Sequence, residues 1–182
     1  MIAAVRVVQV PMGWVPDDSL RLMVVPVAFF LHAVSGVMFG VLGPLQFAGV
    51  LRRRFGRWHR ITGRAFVLGG LGLGLSGLAL LARVDSIATP LLDSFRGFAG
   101  ISVVIALAIG VNAARQRDLP RHRAWMIRSY ALGMGTGTVA LVMFPIYLIN
   151  GTAPAGLWSD AIVVGWWLIN IGLGEWVIRK NA

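Results

Sequence analysis

Five stretches of this chain carry no charged side chain: residues 22–51, 65–82, 97–114, 129–159 and, shorter, 161–174. A helix needs about 20 apolar residues, at ~1.5 Å each, to cross the hydrocarbon of a bilayer. Lipid offers no hydrogen bonds, so a spanning segment must satisfy its own backbone, and an α-helix does this within one segment. Apolar residues make up 57% of the 182, which excludes an ordinary soluble domain. The expectation is an all-α polytopic membrane bundle, one transmembrane domain over 1–182. Five spans fall at about 23–50, 61–82, 97–114, 122–149 and 159–178. Residues 1–21 read as an external segment against the membrane surface, with Trp14 as interfacial anchor. Asp17, Asp18 and Ser19 supply a cap for the first helix, and Pro44 should bend or end it. The fifth span must accommodate Glu175, either at the interface or against Arg179 or Lys180.

A net charge of +10 on a soluble chain would suggest nucleic acid, but the cations here sit between the apolar runs. Arg52, Arg53, Arg54, Arg57, Arg60 and Arg64 fill the first connection, and Arg115, Arg117, Arg121, Arg123 and Arg128 fill the third. Arg179 and Lys180 end the chain. The positive-inside rule then puts the N-terminus outside and the C-terminus inside. Nucleic acid is not the expected partner; anionic lipid head groups on the inner face are.

The two basic turns nearly repeat each other. Arg52, Arg54, His59 and Arg60 lead to Arg64, Ala65 and Phe66; Arg115, Arg117, His122 and Arg123 lead, one residue longer, to Arg128, Ser129 and Tyr130. This predicts two parallel hairpin repeats plus a C-terminal helix. Small residues recur every fourth position: Gly36 and Gly40, Gly70 and Gly74, Gly133 and Gly137, and Ser102, Ala106, Gly110 and Ala114. Such stripes let helices approach closely and suit association with other membrane subunits.

Three stretches carry a family resemblance. They are His32 through Gly36 to Gly43-Pro44-Leu45-Gln46-Phe47, then His59-Arg60 with Gly63-Arg64, then His122-Arg123 with Trp125-Met126-Ile127-Arg128-Ser129-Tyr130-Ala131-Leu132. They cover most of residues 28–135. On them the chain resembles the prokaryotic membrane-protein family called "domain of unknown function 2306". The resemblance implies a multi-pass bundle in a prokaryotic cytoplasmic membrane and little chemistry. Past Leu132 the family continues with an arginine where this chain has Gly133-Met134-Gly135-Thr136-Gly137.

Candidate ligand-binding residues are His32, His59, His122, Arg60, Arg64, Arg123 and Arg128. A b-type haem takes two neutral imidazoles on facing helices, with cations for its propionates, so His59 and His122 with the neighbouring arginines fit haem b; a quinone is the other cofactor weighed. Arg60 and Arg64 are four apart on one helix face, a like-charge pair that calls for an anion. Against this stands the reading of both histidines as interfacial residues bonding loop carbonyls in a lipid-binding turn. His32 lies about 15 Å inside the outer boundary at helical rise. It reads as a neutral core histidine bonded to Ser, Thr or Asn170 of another helix, or as a haem ligand paired with a histidine of another chain. Phosphate-loop and His-Glu-x-x-His signatures are absent, which points away from an enzyme, and the chain has no cysteine. A transporter would want a polar midplane and broken helices, hinted at by Thr136, Thr138, Pro145 and Asn170. The leading expectation is a non-catalytic accessory or scaffold component binding anionic lipid, with the haem or quinone module as alternative.

Overall fold

In a computed structural model, residues 2–15, 17–86, 88–152 and 154–180 are described, and they form helices without strands. The chain divides into two compact units, Met1–Asp85 and Ser86–Ala182. The first contains α1 (Ile2–Met12), a 3₁₀ segment (Asp17–Val24), α2 (Pro26–Phe47), α3 (Gly49–Arg54) and α4 (Gly56–Arg83). The second contains α5 (Pro90–Arg115), α6 (Leu119–Gly133), α7 (Gly135–Thr138), α8 (Ala140–Asn150) and α9 (Gly156–Lys180).

Helices α2, α4, α5 and α9 are each long and apolar enough to cross a bilayer. Helix α6 and the segment after it pass the same test only as a pair, bent by 53°. On α9 the exposed indoles of Trp158 and Trp176 are 18 residues apart, or about 27 Å at helical rise, close to the hydrocarbon thickness that interfacial tryptophans bracket.

Several boundaries differ from expectation, α5 beginning at Pro90 rather than 97, and three of the differences have local reasons. Helix α2 begins at Pro26, not near 23: the proline has no N–H to leave unpaired, its φ is already helical, and Val25 is the N-cap without a side-chain bond. The acids before it enter the 3₁₀ segment, and the Asp18 and Ser19 side chains lie outside the described residues. Helix α4 starts at Gly56 rather than 61, because the arginine-rich turn joins the helix instead of looping out. Pro44 does not end α2 at once; the helix closes three residues later at Phe47, where the Ala48 N–H donates to the Pro44 carbonyl.

In the first unit, α2 and α4 meet face to face through absent side chains. A Cβ on Gly69 would lie 3.1 Å from Met38 Cβ and 3.3 Å from the Phe39 backbone nitrogen, and one on Gly72 would collide with Ser35 Oγ. This approach lets Phe39 stack on Phe66, centroids 4.4 Å apart, with Phe47 edge-on at 6.3 Å. Both stacked rings are buried.

The second unit packs around Trp167, which joins Leu92, Ala99 and Val163, with Phe95 5.2 Å away. This indole also explains the bend after α6. Its Nε1–H donates to the Leu132 carbonyl at 2.5 Å, a group that Thr136 N–H would take in a continuous helix. A Cβ on Gly135 would occupy the indole's position. The opposite end is held by Asp160 of α9, buried, whose Oδ2 accepts the Thr89 N–H at 2.6 Å just before α5. The α5–α6 turn places Arg117 in the left-handed region, φ 64°, and Asp118 caps α6 by accepting the Arg121 N–H.

Glycine-mediated approach predicts a position-dependent cost. Gly69→Leu should destabilise the protein by about 1–3 kcal/mol through overpacking against α2. Gly165→Leu, with open space around it, should leave stability unchanged. Thermal unfolding in detergent compares the two, and equal midpoints would contradict this packing.

Candidate functional site

Each histidine is fixed by a partner on another helix. His32 Nδ1 lies 3.1 Å from Ser76 Oγ, and that hydroxyl donates to the Gly72 carbonyl at 2.5 Å. With its proton so used, Ser76 accepts, and the neutral His32 ring carries its hydrogen on Nδ1. Of the partners expected from sequence, a serine holds it. A Cβ on Gly77 would lie 3.3 Å from His32 Cε1, so the ring rests directly on the α4 backbone.

His59 sits in the first turn of α4, beneath Gln46 near the end of α2. The Gln46 amide, oriented so that both its ends are satisfied, donates to His59 Nδ1 and to the His59 carbonyl, each at 3.2 Å. It accepts from Thr62 Oγ1 at 2.6 Å and from the Gly63 N–H at 3.2 Å. A Cβ on Gly63 would come within 3.0 Å of that amide, which ties the glycine to the same contact. Gln46 was visible in the sequence only as part of a family match; nothing in its spacing pointed to His59.

His122, in the second unit, is arranged in the opposite sense. Its Nδ1 donates to the Gly110 carbonyl of α5 at 2.8 Å, leaving Nε2 as the acceptor nitrogen of the neutral ring. Gly110 makes this contact reachable: a Cβ there would collide with Met126 and lie 3.3 Å from Trp125 Cβ. The two histidines therefore present different nitrogens, Nδ1 accepting in His59 and donating in His122.

The arginines divide as sharply. Arg128 makes a two-pronged pair with Glu175 of α9, Nε to Oε1 at 2.6 Å and Nη2 to Oε2 at 3.0 Å, and its guanidinium covers the Trp125 ring at 4.8 Å. The sequence offered Glu175 the interface or a cation of its own last turn, Arg179 or Lys180; its hydrogen-bonded partner is instead Arg128 of α6. Those two residues are one helical turn away on the same helix, but a planar guanidinium on a facing helix matches both carboxylate oxygens at once. Lys180 instead stacks on Trp176 at 5.1 Å. In the first unit, Arg52, Arg53, Arg54, Arg57, Arg60 and Arg64 are all exposed, and residues 19–84 contain no Asp or Glu. Arg54 covers Phe55 at 5.8 Å. Arg123 is half-buried in α6.

A further polar cluster lies beside the bend in the second unit. Thr138 Oγ1 donates to the Met134 carbonyl at 2.9 Å and accepts from Trp166 Nε1 at 2.9 Å and Asn170 Nδ2 at 3.0 Å. The second Asn170 N–H goes to the Trp166 carbonyl. These bonds hold α9 to the bent segment and occupy the hydroxyl fully. Among the described residues, no three His, Asp or Glu side chains gather as a metal site would need.

Removal of one member of the Arg128–Glu175 pair strands the other. Arg128→Leu should cost about 1–3 kcal/mol. In a double-mutant cycle, Glu175→Leu added to it should cost less than the sum of the singles; additive losses would show that the pair is uncoupled.

A family profile described as "Predicted membrane protein (DUF2306)" matches residues 29–178, which include every candidate histidine and arginine above. No curated protein and no solved structure matches the chain. The match extends the sequence resemblance beyond residue 135, across the bent segment and most of α9. With several helices apolar enough to span a bilayer, the chain is a membrane protein and belongs to the family of domain of unknown function 2306.

Proposed function

We propose that this protein is a non-enzymatic component of a prokaryotic cytoplasmic membrane that organises anionic lipid around its basic face and packs against other membrane subunits. The N-terminus lies outside and the C-terminus inside, with the two arginine–histidine turns as repeats that fix both hairpins on the inner side. One observation carries this reading: six exposed arginines in residues 52–64, in a unit whose sequence from 19 to 84 offers no carboxylate. Each arginine near an anionic surface gains about 1 kcal/mol, so six together outweigh the mutual repulsion of a few tenths of a kcal/mol per neighbouring pair. Open small positions such as Gly165 and Gly172 on α9 are available for a neighbouring helix.

A second reading, a b-type haem or quinone module, is favoured by His122 alone. Its Nδ1–H bond to a backbone carbonyl orients the ring and leaves Nε2 as the outward nitrogen, the arrangement that suits an axial ligand or an acceptor for a quinol. His59, whose Nδ1 accepts, would present Nε2–H instead.

Reconstitution with spin-labelled lipids tests the first reading. Labelled phosphatidylglycerol should be immobilised by the protein in preference to phosphatidylcholine, and the preference should fall as salt is raised. Equal immobilisation at low salt would contradict it. For the second reading, absorption spectra of haem-replete oxidised and reduced protein should show a Soret band that His122→Ala abolishes; no band would exclude haem.

A further inference from the structure

The face of α4 turned away from α2 has an unusual sequence. At 3.6 residues per turn, Arg57, Arg60, Ile61, Arg64, Leu68 and Leu75 fall within an arc of about 100°. All six are exposed, Leu68 by 67% and Leu75 by 57%. Phe66, Gly69, Gly70, Gly74 and Ser76 occupy the buried side. One stripe therefore runs from three guanidiniums into an apolar track along the same helix. The order matches a lipid lying alongside, head first and then chains.

The arginines are spaced i, i+3 and i+7 and extend over about 10 Å of helix axis. Each guanidinium can grip a phosphate with two parallel N–H bonds. A phosphate held at one end leaves room for a second at the other, and among the described residues none of the three has a carboxylate partner. Arg128 of the second repeat shows the other solution, since Glu175 already neutralises it.

We propose that this stripe of α4 seats a membrane phospholipid bearing two phosphates, with Arg57, Arg60 and Arg64 on the head group and Ile61, Leu68 and Leu75 along the chains. The inference rests on the lipid-binding reading above and narrows it to one stripe and one head-group class. Charge complementarity selects the occupant: the stripe carries three cations, and residues 19–84 of its unit supply no acid. The neighbouring α3 arginines, Arg52, Arg53 and Arg54, add to the general field of the turn but precede the apolar track.

Native mass spectrometry of the full-length protein in detergent tests it, with added diphosphatidylglycerol, phosphatidylglycerol or phosphatidylcholine. The wild type should bind diphosphatidylglycerol about tenfold more tightly than phosphatidylglycerol. Arg57→Gln/Arg60→Gln/Arg64→Gln should lose that preference, while Arg52→Gln/Arg53→Gln/Arg54→Gln, with the same charge removed, should keep it. The corresponding triple Arg→Lys variant of α4 retains charge and gives a second test, expected to bind both anionic lipids but discriminate less. Equal losses in the two glutamine variants, or a wild type that does not distinguish the two anionic lipids, would overturn the two-phosphate site and leave general anionic binding standing. Anionic lipids binding no better than phosphatidylcholine would overturn both.

Discussion

Helices already dissolved in lipid gain nothing by hiding apolar side chains from one another, so this chain depends on contacts that lipid cannot replace. Two kinds occur. Missing Cβ atoms at Gly69, Gly72, Gly110 and Gly135 allow a facing side chain or backbone to approach, converting the space into dispersion contact and, at Gly110, into a hydrogen bond. Polar groups then bridge helices: His32 to Ser76, Gln46 to His59, Asp160 to Thr89, Trp167 to Leu132, and Arg128 to Glu175. In an apolar medium a polar group without a partner is costly, and each bridge therefore selects one helix pairing over others.

This rule gives the ionisable residues their separate meanings. Glu175 and Arg128 lie on different helices, take each other as partners and hold α6 to α9. Among the described residues the arginines of the first turn have no such partner, and their unit contains no acid from residue 19 to 84. What is a closed pair in one half is a set of exposed cations in the other. The histidines show the same contrast at smaller scale, with Gln46 addressing one ring as donor and Gly110 addressing the other as acceptor. Similar turn sequences thus lead to different chemistry, since the deciding partners come from outside the turns.

The membrane class, the helical architecture and the positions of the apolar segments were legible because hydropathy is a property of contiguous residues. The start of α4 is masked in the sequence by the charge of residues 56–60, which resembles a loop although arginine is a good helix former. Partners distant in sequence could not be read. Arg128 and Glu175 are 47 residues apart, Leu132 and Trp167 are 35 apart, and no spacing rule connects them. A broken helix was hinted at only by Thr136, Thr138, Pro145 and Asn170; the cause of the bend after Leu132, an indole inserted in the helix ladder, required the tertiary structure. The pairing of Arg60 and Arg64 on one face followed from helical geometry, whereas their continuity with Leu68 and Leu75 became meaningful only once exposure was known.

The arginines divide: Arg128 is neutralised within the protein, and those of the α4 stripe are proposed to meet lipid phosphate. Solid-state NMR of the arginine-labelled protein in bilayers containing anionic lipid measures this directly, through dipolar coupling between guanidinium carbon and lipid phosphorus. Strong carbon–phosphorus dephasing is expected at Arg57, Arg60 and Arg64, and none at Arg128. Dephasing at Arg128, or its absence from all three stripe arginines, would contradict this division.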